Sequence, residues 1–219
     1  MDTTYNKENL QVHLELLKPS GYLLESFENE FFYSKTESQR KITIVPYYDE
    51  YFPHDVIFRS VSIKVLFYDV EQIFNDVYIN NSNVDFKHFL NKTPSFSEDF
   101  SDVLSTFDNE KLETTKVFND STFYLVKPLL QQMITAAVNF VNQNQTLQDF
   151  YSLAELMDIE QQANFYTQPL PERKLIIKKI LSISDYNSYA TQLLNYYNQE
   201  GEIEDANFLQ ALKNHLDNL

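Results

Sequence analysis

The scarcity of glycine most constrains what this chain can fold into. Its 219 residues contain two glycines, Gly21 and Gly201, where average usage of about 7% would give roughly fifteen. A Walker A loop, a dinucleotide-binding G-x-G-x-x-G turn, a G-x-S-x-G nucleophile elbow and a kinase glycine-rich loop each need two or more glycines within a few residues. The backbone there takes positive φ or closely approaches a phosphate. Because its glycines lie near opposite ends, the chain excludes these sites in their usual form.

Cysteine is absent, which excludes thiol nucleophiles, cysteine-ligated zinc, iron–sulfur clusters and disulfides. The polar residues 1–8 lack the basic and apolar regions of a secretory signal. The most apolar long window, residues 123–141, contains Lys127 and Pro128 and is not an uninterrupted membrane span. We therefore expect a soluble, cytoplasmic protein.

The net charge of −15, from 17 basic and 32 acidic residues, bears on the kind of partner. Nucleic acids and anionic membranes both require a cationic protein surface, so neither is expected. The acidic residues are spread along the chain. They favour either a solvated exterior that aids solubility or an acidic face that steers a basic protein toward it.

The first half of the chain alternates between helical and strand-like patterns. Residues 10–17 carry a helical leucine stripe, and residues 31–34 and 41–45 read as the two strands of a hairpin. The clearest strand is 56–67. From Phe58 its side chains alternate between two faces, and the face that carries Val61, Ile63 and Val65 is nearly all apolar. A helix is predicted over 69–78.

The later pattern is predominantly helical. Residues 80–112 favour short helices, and 114–118 with 122–126 suggest a second hairpin. Helices are then predicted from Pro128, from Thr146 with its capping partner Asp149, over 172–183 and 185–198, and after Gly201.

These elements predict an α+β fold, in which an N-terminal helix and a small antiparallel sheet are followed by an all-helical C-terminal part. A single domain over 1–219 is preferred because no repeat or linker divides the chain. The alternative is two subdomains, 1–126 and 127–219.

The densest group of candidate functional residues precedes the strongest strand. It consists of seven residues: Tyr47, Tyr48, Asp49, Glu50, Tyr51, His54 and Asp55. Exposed tyrosines beside carboxylates are typical of protein interfaces. A histidine among carboxylates also suits a general base or a divalent cation, and an exposed polar turn shaped by Pro53 is a third interpretation.

A basic cluster occupies residues 173–180, where Arg173, Lys174 and Lys178 lie close together on a predicted helix. We expect a solvated face paired with acids such as Glu172, although contact with a phosphate or an acidic partner is an alternative. The four histidines show no metal-site spacing. We expect neither a metal nor a cofactor.

Residues 16–22, the strands at 42–45 and 61–67 and the helical tail resemble small acidic bacterial proteins of the toxin-immunity type. The resemblance implies binding and blocking a toxin. Together with the acidic charge, it favours a non-catalytic module that binds another protein, with a basic protein as the candidate partner. A hydrolase or metal-dependent enzyme built on Asp49, Glu50, His54 and Asp55 is the alternative, and the oligomeric state is left open.

Overall fold

The computed structural model describes residues 5–28, 30–51, 54–81 and 94–219. Within them lie an N-terminal helix, an antiparallel sheet of five strands in chain order, and a largely helical C-terminal part, which confirms the α+β class. The strands are β1 (Leu23–Phe27), β2 (Glu30–Thr36), β3 (Arg40–Tyr51), β4 (Asp55–Phe67) and β5 (Phe96–Asp99). The helices are α1 (Lys7–Glu15), α2 (Tyr68–Asn81), α3 (Thr106–Thr114), α4 (Asp120–Gln143), α5 (Leu147–Ala154), α6 (Ile159–Phe165), α7 (Leu170–Ile180), α8 (Tyr186–Glu200) and α9 (Ile203–Asp217). In these described stretches, no helix combines the length and apolar character needed to cross a membrane.

The chain forms two compact units, each built from two separate segments. Unit 1 comprises residues 1–64 and 98–145, and unit 2 comprises residues 65–97 and 146–219. The unit boundaries fall inside β4, inside β5 and between α4 and α5, whereas the subdivision at residue 126 suggested by the sequence would fall inside α4.

The core of unit 1 forms where α1 and α4 pack on the sheet. Tyr33 of β2 is fully buried, and its hydroxyl donates a 2.8 Å hydrogen bond to the backbone carbonyl of Leu14 in α1. The strand register places Tyr33 in one row with Leu24 and Ile44. The antiparallel pairing of β2 with β3 confirms the predicted first hairpin. Strand β1, at the edge of the sheet, was not predicted from the sequence. Its apolar residues are two leucines and a phenylalanine, and they do not alternate with polar residues.

Unit 2 is organised around a buried ion pair between α7 and α2. The Arg173 guanidinium donates to both carboxylate oxygens of Glu71, with Nη2–Oε2 at 2.9 Å and Nε–Oε1 at 3.0 Å, and the two side chains are 2% and 3% exposed. Ser95 donates to Glu71 at 2.8 Å and accepts from the backbone N–H of Phe67. Nη1 of Arg173 donates to the backbone carbonyls of Thr167 and Gln168.

The basic cluster of α7 is therefore not a solvated face, and that prediction was wrong. Lys178 is also buried, between Tyr151 and Asp185, with Nζ–Oδ1 at 2.7 Å. Lys174 pairs with Glu155 at 2.6 Å. The cations face inward because acids from α2, α5 and the α7–α8 junction meet them there.

The second predicted hairpin was also wrong, since residues 114–126 hold the end of α3 and the start of α4. Asn119 caps α4: its side chain accepts from the backbone N–H of Thr122, whose hydroxyl in turn accepts from the Asn119 N–H. The β-branched and aromatic residues that suggested strands instead open a helical apolar stripe that includes Phe123 and Val126. Pro128 therefore lies inside α4 and does not begin it.

Replacing Arg173 with methionine should lower the free energy of unfolding by about 3–5 kcal/mol, because the Glu71 carboxylate would stay buried without its cation. Urea denaturation of the full chain measures this. Lys179→Met, six positions along the same helix at a half-buried site, is the matched control and should change it by less than about 1 kcal/mol. Equal losses of unfolding free energy in the two variants would show that the buried ion pair contributes no more to stability than a half-buried lysine does.

Candidate functional site

The seven residues singled out in the sequence occupy the end of the β3–β4 hairpin in unit 1. Residues 47–51 form the end of β3, His54 lies in the turn and Asp55 begins β4. Phe52 and Pro53 lie outside the described residues, so the turn shape expected from Pro53 stays a prediction. The seven residues are close in the chain, but their side chains have different surroundings.

Both aspartates of this group are engaged in ion pairs. Asp49 accepts from Arg59 through Nε at 2.7 Å and Nη2 at 2.5 Å, and Asp55 lies 3.5 Å from the Lys116 ammonium. Arg59 also donates to the backbone carbonyl of Glu113, at 3.2 Å. These contacts hold the hairpin against the end of α3.

The tyrosines of the group differ in exposure. Tyr48 packs edge-on against buried Phe58, its hydroxyl accepts from the Phe31 N–H at 3.2 Å, and burial raises its pKa to about 12. Tyr47 is half-buried, with the Lys64 ammonium 5.6 Å from its ring centre. The exposed members are Glu50, Tyr51 and His54.

The geometry does not assemble the catalytic or metal site considered for Asp49, Glu50, His54 and Asp55. Across the stretches that the structure describes, no three histidine or acidic side chains are grouped so that they could hold a metal ion. The two aspartates point to different cations, Arg59 and Lys116. The exposed side chains in the described part of this hairpin end are those of Glu50, Tyr51 and His54, and the paired carboxylate of Asp49 is partly exposed beside them.

A stronger concentration of charge lies elsewhere in unit 1, on residues 98–113, which we call the acidic surface. It runs from the end of β5 through a short 3-10 helix, Ser101–Val103, and along α3. Its acidic members are Glu98, Asp99, Asp102, Asp108, Glu110 and Glu113, against one cation, Lys111.

Local hydrogen bonds explain why this segment folds as it does. Asp99 accepts from the Ser101 N–H at 2.8 Å and begins the turn into the 3-10 helix. Ser105 caps α3 by accepting from the Asp108 N–H at 3.2 Å. The Gln132 amide donates to the carbonyl of Val103 at 2.8 Å and fastens the segment to α4.

The acidic surface is electrostatically crowded. Burial, and then the charges of Asp99 and Asp102, raise the pKa of Glu98 above its ordinary value. Within the described part of the chain, none of the six carboxylates forms an ion pair. The neighbouring cations Arg59 and Lys116 are already paired with Asp49 and Asp55.

Apolar side chains stand among these charges. Phe107, in the first turn of α3, is 75% exposed, and Val103 of the 3-10 helix is also exposed. Buried Leu104 and Leu112 anchor the same segment to the core. Phe107 is therefore held in place by its neighbours while its own ring contacts solvent.

Sequence reasoning did not locate this surface, although its signal was present. Six acids and one lysine fall within sixteen residues, with Phe107 among them. Because acidic residues occur along the whole chain, this local excess was not recognised from the sequence. The backbone turn that brings Asp102 near Glu98 has no distinctive motif.

Ionisation of Glu98 should make the protein less stable as pH rises. A carboxyl group with a raised pKa binds its proton more tightly in the folded state. Its contribution to stability is therefore complete below the unfolded pKa and is lost as pH rises through the folded pKa. Because Glu98→Gln cannot ionise, its free energy of unfolding should increase relative to that of wild type as pH rises from about 4 to about 7.

Urea denaturation across this pH range measures the effect, and Glu110→Gln, at an exposed site on α3, is the control. A difference in the free energy of unfolding between Glu98→Gln and wild type that stays constant with pH would contradict the raised pKa of Glu98.

The part of the shift that comes from neighbouring charge is tested separately. In ¹³C carboxyl titrations, Asp102→Asn should lower the pKa of Glu98 without restoring its ordinary value, because burial is the larger cause.

Compared with known proteins, the chain matches no family model, no curated protein and no solved structure. The resemblance to proteins of the toxin-immunity type therefore stays a prediction based on residues 16–22, the strands and the helical tail.

Proposed function

We propose that this chain is a non-catalytic protein-binding module whose acidic surface engages a basic protein. One observation carries the proposal: the segment 98–113 holds six carboxylates without ion pairs in the described residues, together with the exposed side chain of Phe107. A basic partner would supply the cations that unit 1 itself does not place there.

Electrostatic relief and apolar burial would act together at such an interface. Like charges held close by the fold repel one another, and an apposed cationic surface removes that repulsion. Complete burial of a phenylalanine side chain contributes about 1.5–3 kcal/mol. An exposed Phe107 in a segment rich in acidic residues resembles the common arrangement of an apolar anchor within a polar rim.

The hairpin end extends the same surface. Arg59 joins Asp49 of β3 to the carbonyl of Glu113 at the end of α3. The exposed side chains of Glu50, Tyr51 and His54 would contribute at its margin. A toxin-neutralising role is one form of this function, in which the basic partner is held inactive.

Removing charge from the acidic surface should slow association with the partner. The triple variant Asp102→Asn, Glu110→Gln, Glu113→Gln should lower the association rate constant about tenfold at low salt, and the difference should shrink at about 0.5 M NaCl. Surface plasmon resonance against the basic protein captured from lysate of the native host measures both.

The matched control removes the same charge from unit 2. Glu200→Gln, Glu202→Gln and Glu204→Gln alter exposed residues around the α8–α9 junction and should leave the association rate within about twofold. Equal slowing in both triple variants would mean that net charge alone governs association. That result would remove the acidic surface as the binding face.

Phe107→Ala should act mainly on dissociation. Loss of a buried aromatic anchor typically costs 2 kcal/mol or more, so the dissociation rate should rise at least about 30-fold. Leu125→Ala, at a comparably exposed apolar site on α4, should leave it unchanged. An unchanged dissociation rate for Phe107→Ala would show that Phe107 is not the apolar anchor of the interface.

A further inference from the structure

A pocket of about 340 Å³ lies in unit 1 beside the N-terminus of α4. Its walls are Tyr5, Asn9 and His13 on one side and residues 118–121 on the other. The single carboxylate among them belongs to Asp120, and no lysine or arginine lines the pocket.

Hydrogen bonds join three of these side chains in a fixed order. The Tyr5 hydroxyl lies 3.0 Å from Nδ1 of His13, and Nε2 of His13 lies 2.8 Å from Oδ1 of Asp120. Because a carboxylate only accepts, Nε2 carries the proton. A neutral imidazole with its proton on Nε2 accepts at Nδ1, so the Tyr5 hydroxyl, whose pKa is raised by burial, is the hydrogen-bond donor to Nδ1.

Aromatic packing holds the imidazole still. The ring of His13 is almost parallel to that of Phe123, at 1° with centroids 4.1 Å apart, and Tyr5 stacks nearby at 5.7 Å. His13 is 3% exposed, whereas the side chain of Asp120 is 86% exposed. A buried imidazole therefore fixes one oxygen of a solvent-facing carboxylate.

The order hydroxyl–imidazole–carboxylate is also the one that activates a serine nucleophile. Here Tyr5 as a whole is 2% exposed, and burial raises the pKa of its hydroxyl, so neither access nor deprotonation is favoured. The three side chains position Asp120 and do not present a nucleophile.

The amide oxygens of the two asparagines that line the pocket already accept hydrogen bonds from the backbone. The amide oxygen of Asn9 accepts from the Asn6 N–H, and that of Asn119 accepts from the Thr122 N–H. The second oxygen of Asp120 has no partner in the described residues. Beside it stands Phe118, whose ring is 48% exposed.

We propose that this pocket binds the ammonium or guanidinium group of an organic cation. The anchored carboxylate of Asp120 would take the charge, and the ring of Phe118 would offer its face for a cation–π contact. The cation is either a free amine or a lysine or arginine side chain. The proposal does not rest on the acidic surface, which is formed by other residues.

The test is a ¹H–¹⁵N NMR titration of the full chain with 1,4-diaminobutane and, separately, with the capped peptide acetyl-Gly-Lys-Gly-amide. Saturable shifts confined to Asn9, His13 and residues 118–121 are expected with at least one of the two. Binding of the diamine alone identifies a free amine as the source, and binding of the peptide alone identifies a side chain. The neutral isostere 1-butanol should cause no saturable shift.

Variants separate recognition from folding. Asp120→Asn keeps an acceptor for His13 and should weaken binding at least tenfold, while Phe118→Leu keeps the carboxylate and should weaken it several-fold. Asp205→Asn, at an exposed site in the first turn of α9, is the control and should not alter binding. The proposal is overturned if neither cation saturates, if 1-butanol or a monosaccharide such as glucose binds equally well, or if Asp205→Asn weakens binding as much as Asp120→Asn.

Discussion

The buried ion pair between Arg173 and Glu71 is the interaction on which unit 2 depends. It joins α7 to α2, and through Ser95 and the carbonyls of Thr167 and Gln168 it also fixes the segments before β5 and α7. Burying two charges is costly unless every polar atom finds a partner. Here both carboxylate oxygens and all three guanidinium nitrogens have partners, and the loss of either side chain would leave the other charged and buried without its counterion.

Several cations are paired with acids of their own unit. Arg173, Lys174 and Lys178 are paired within unit 2, and in unit 1 Arg59 and Lys116 are paired within the hairpin and α3 region. Residues 98–113 of unit 1 contain one cation, Lys111, beside six acidic residues. Acidic residues are thus in local excess in this segment, although the sequence spreads acids along the whole chain.

The elements that were predicted correctly from the sequence are those with a clear local periodicity of apolar residues. Strand β4 was evident because Val61, Ile63 and Val65 alternate with less apolar neighbours, and all three are buried. Residues 120–126 were misassigned because β-branched and aromatic residues suit both strand and helix, and the Asn119 cap decided between them.

The functional assignment depended on contacts that no local pattern encodes. Glu71 and Arg173 are 102 positions apart, so the burial of the α7 cations could not be inferred from their helix alone. His13 and Asp120 are separated by 107 positions. The hairpin residues 47–55 were visible as a cluster, but the engagement of Asp49 by Arg59 and of Asp55 by Lys116 was not.

The most direct test of the binding account is hydrogen–deuterium exchange of the chain, free and in complex with the basic protein that it captures. The account predicts that amides of the 3-10 helix and of the first turns of α3 exchange more slowly in the complex, with weaker protection at the hairpin end. Protection confined to α8 and α9, with exchange in residues 98–113 unchanged, would contradict it.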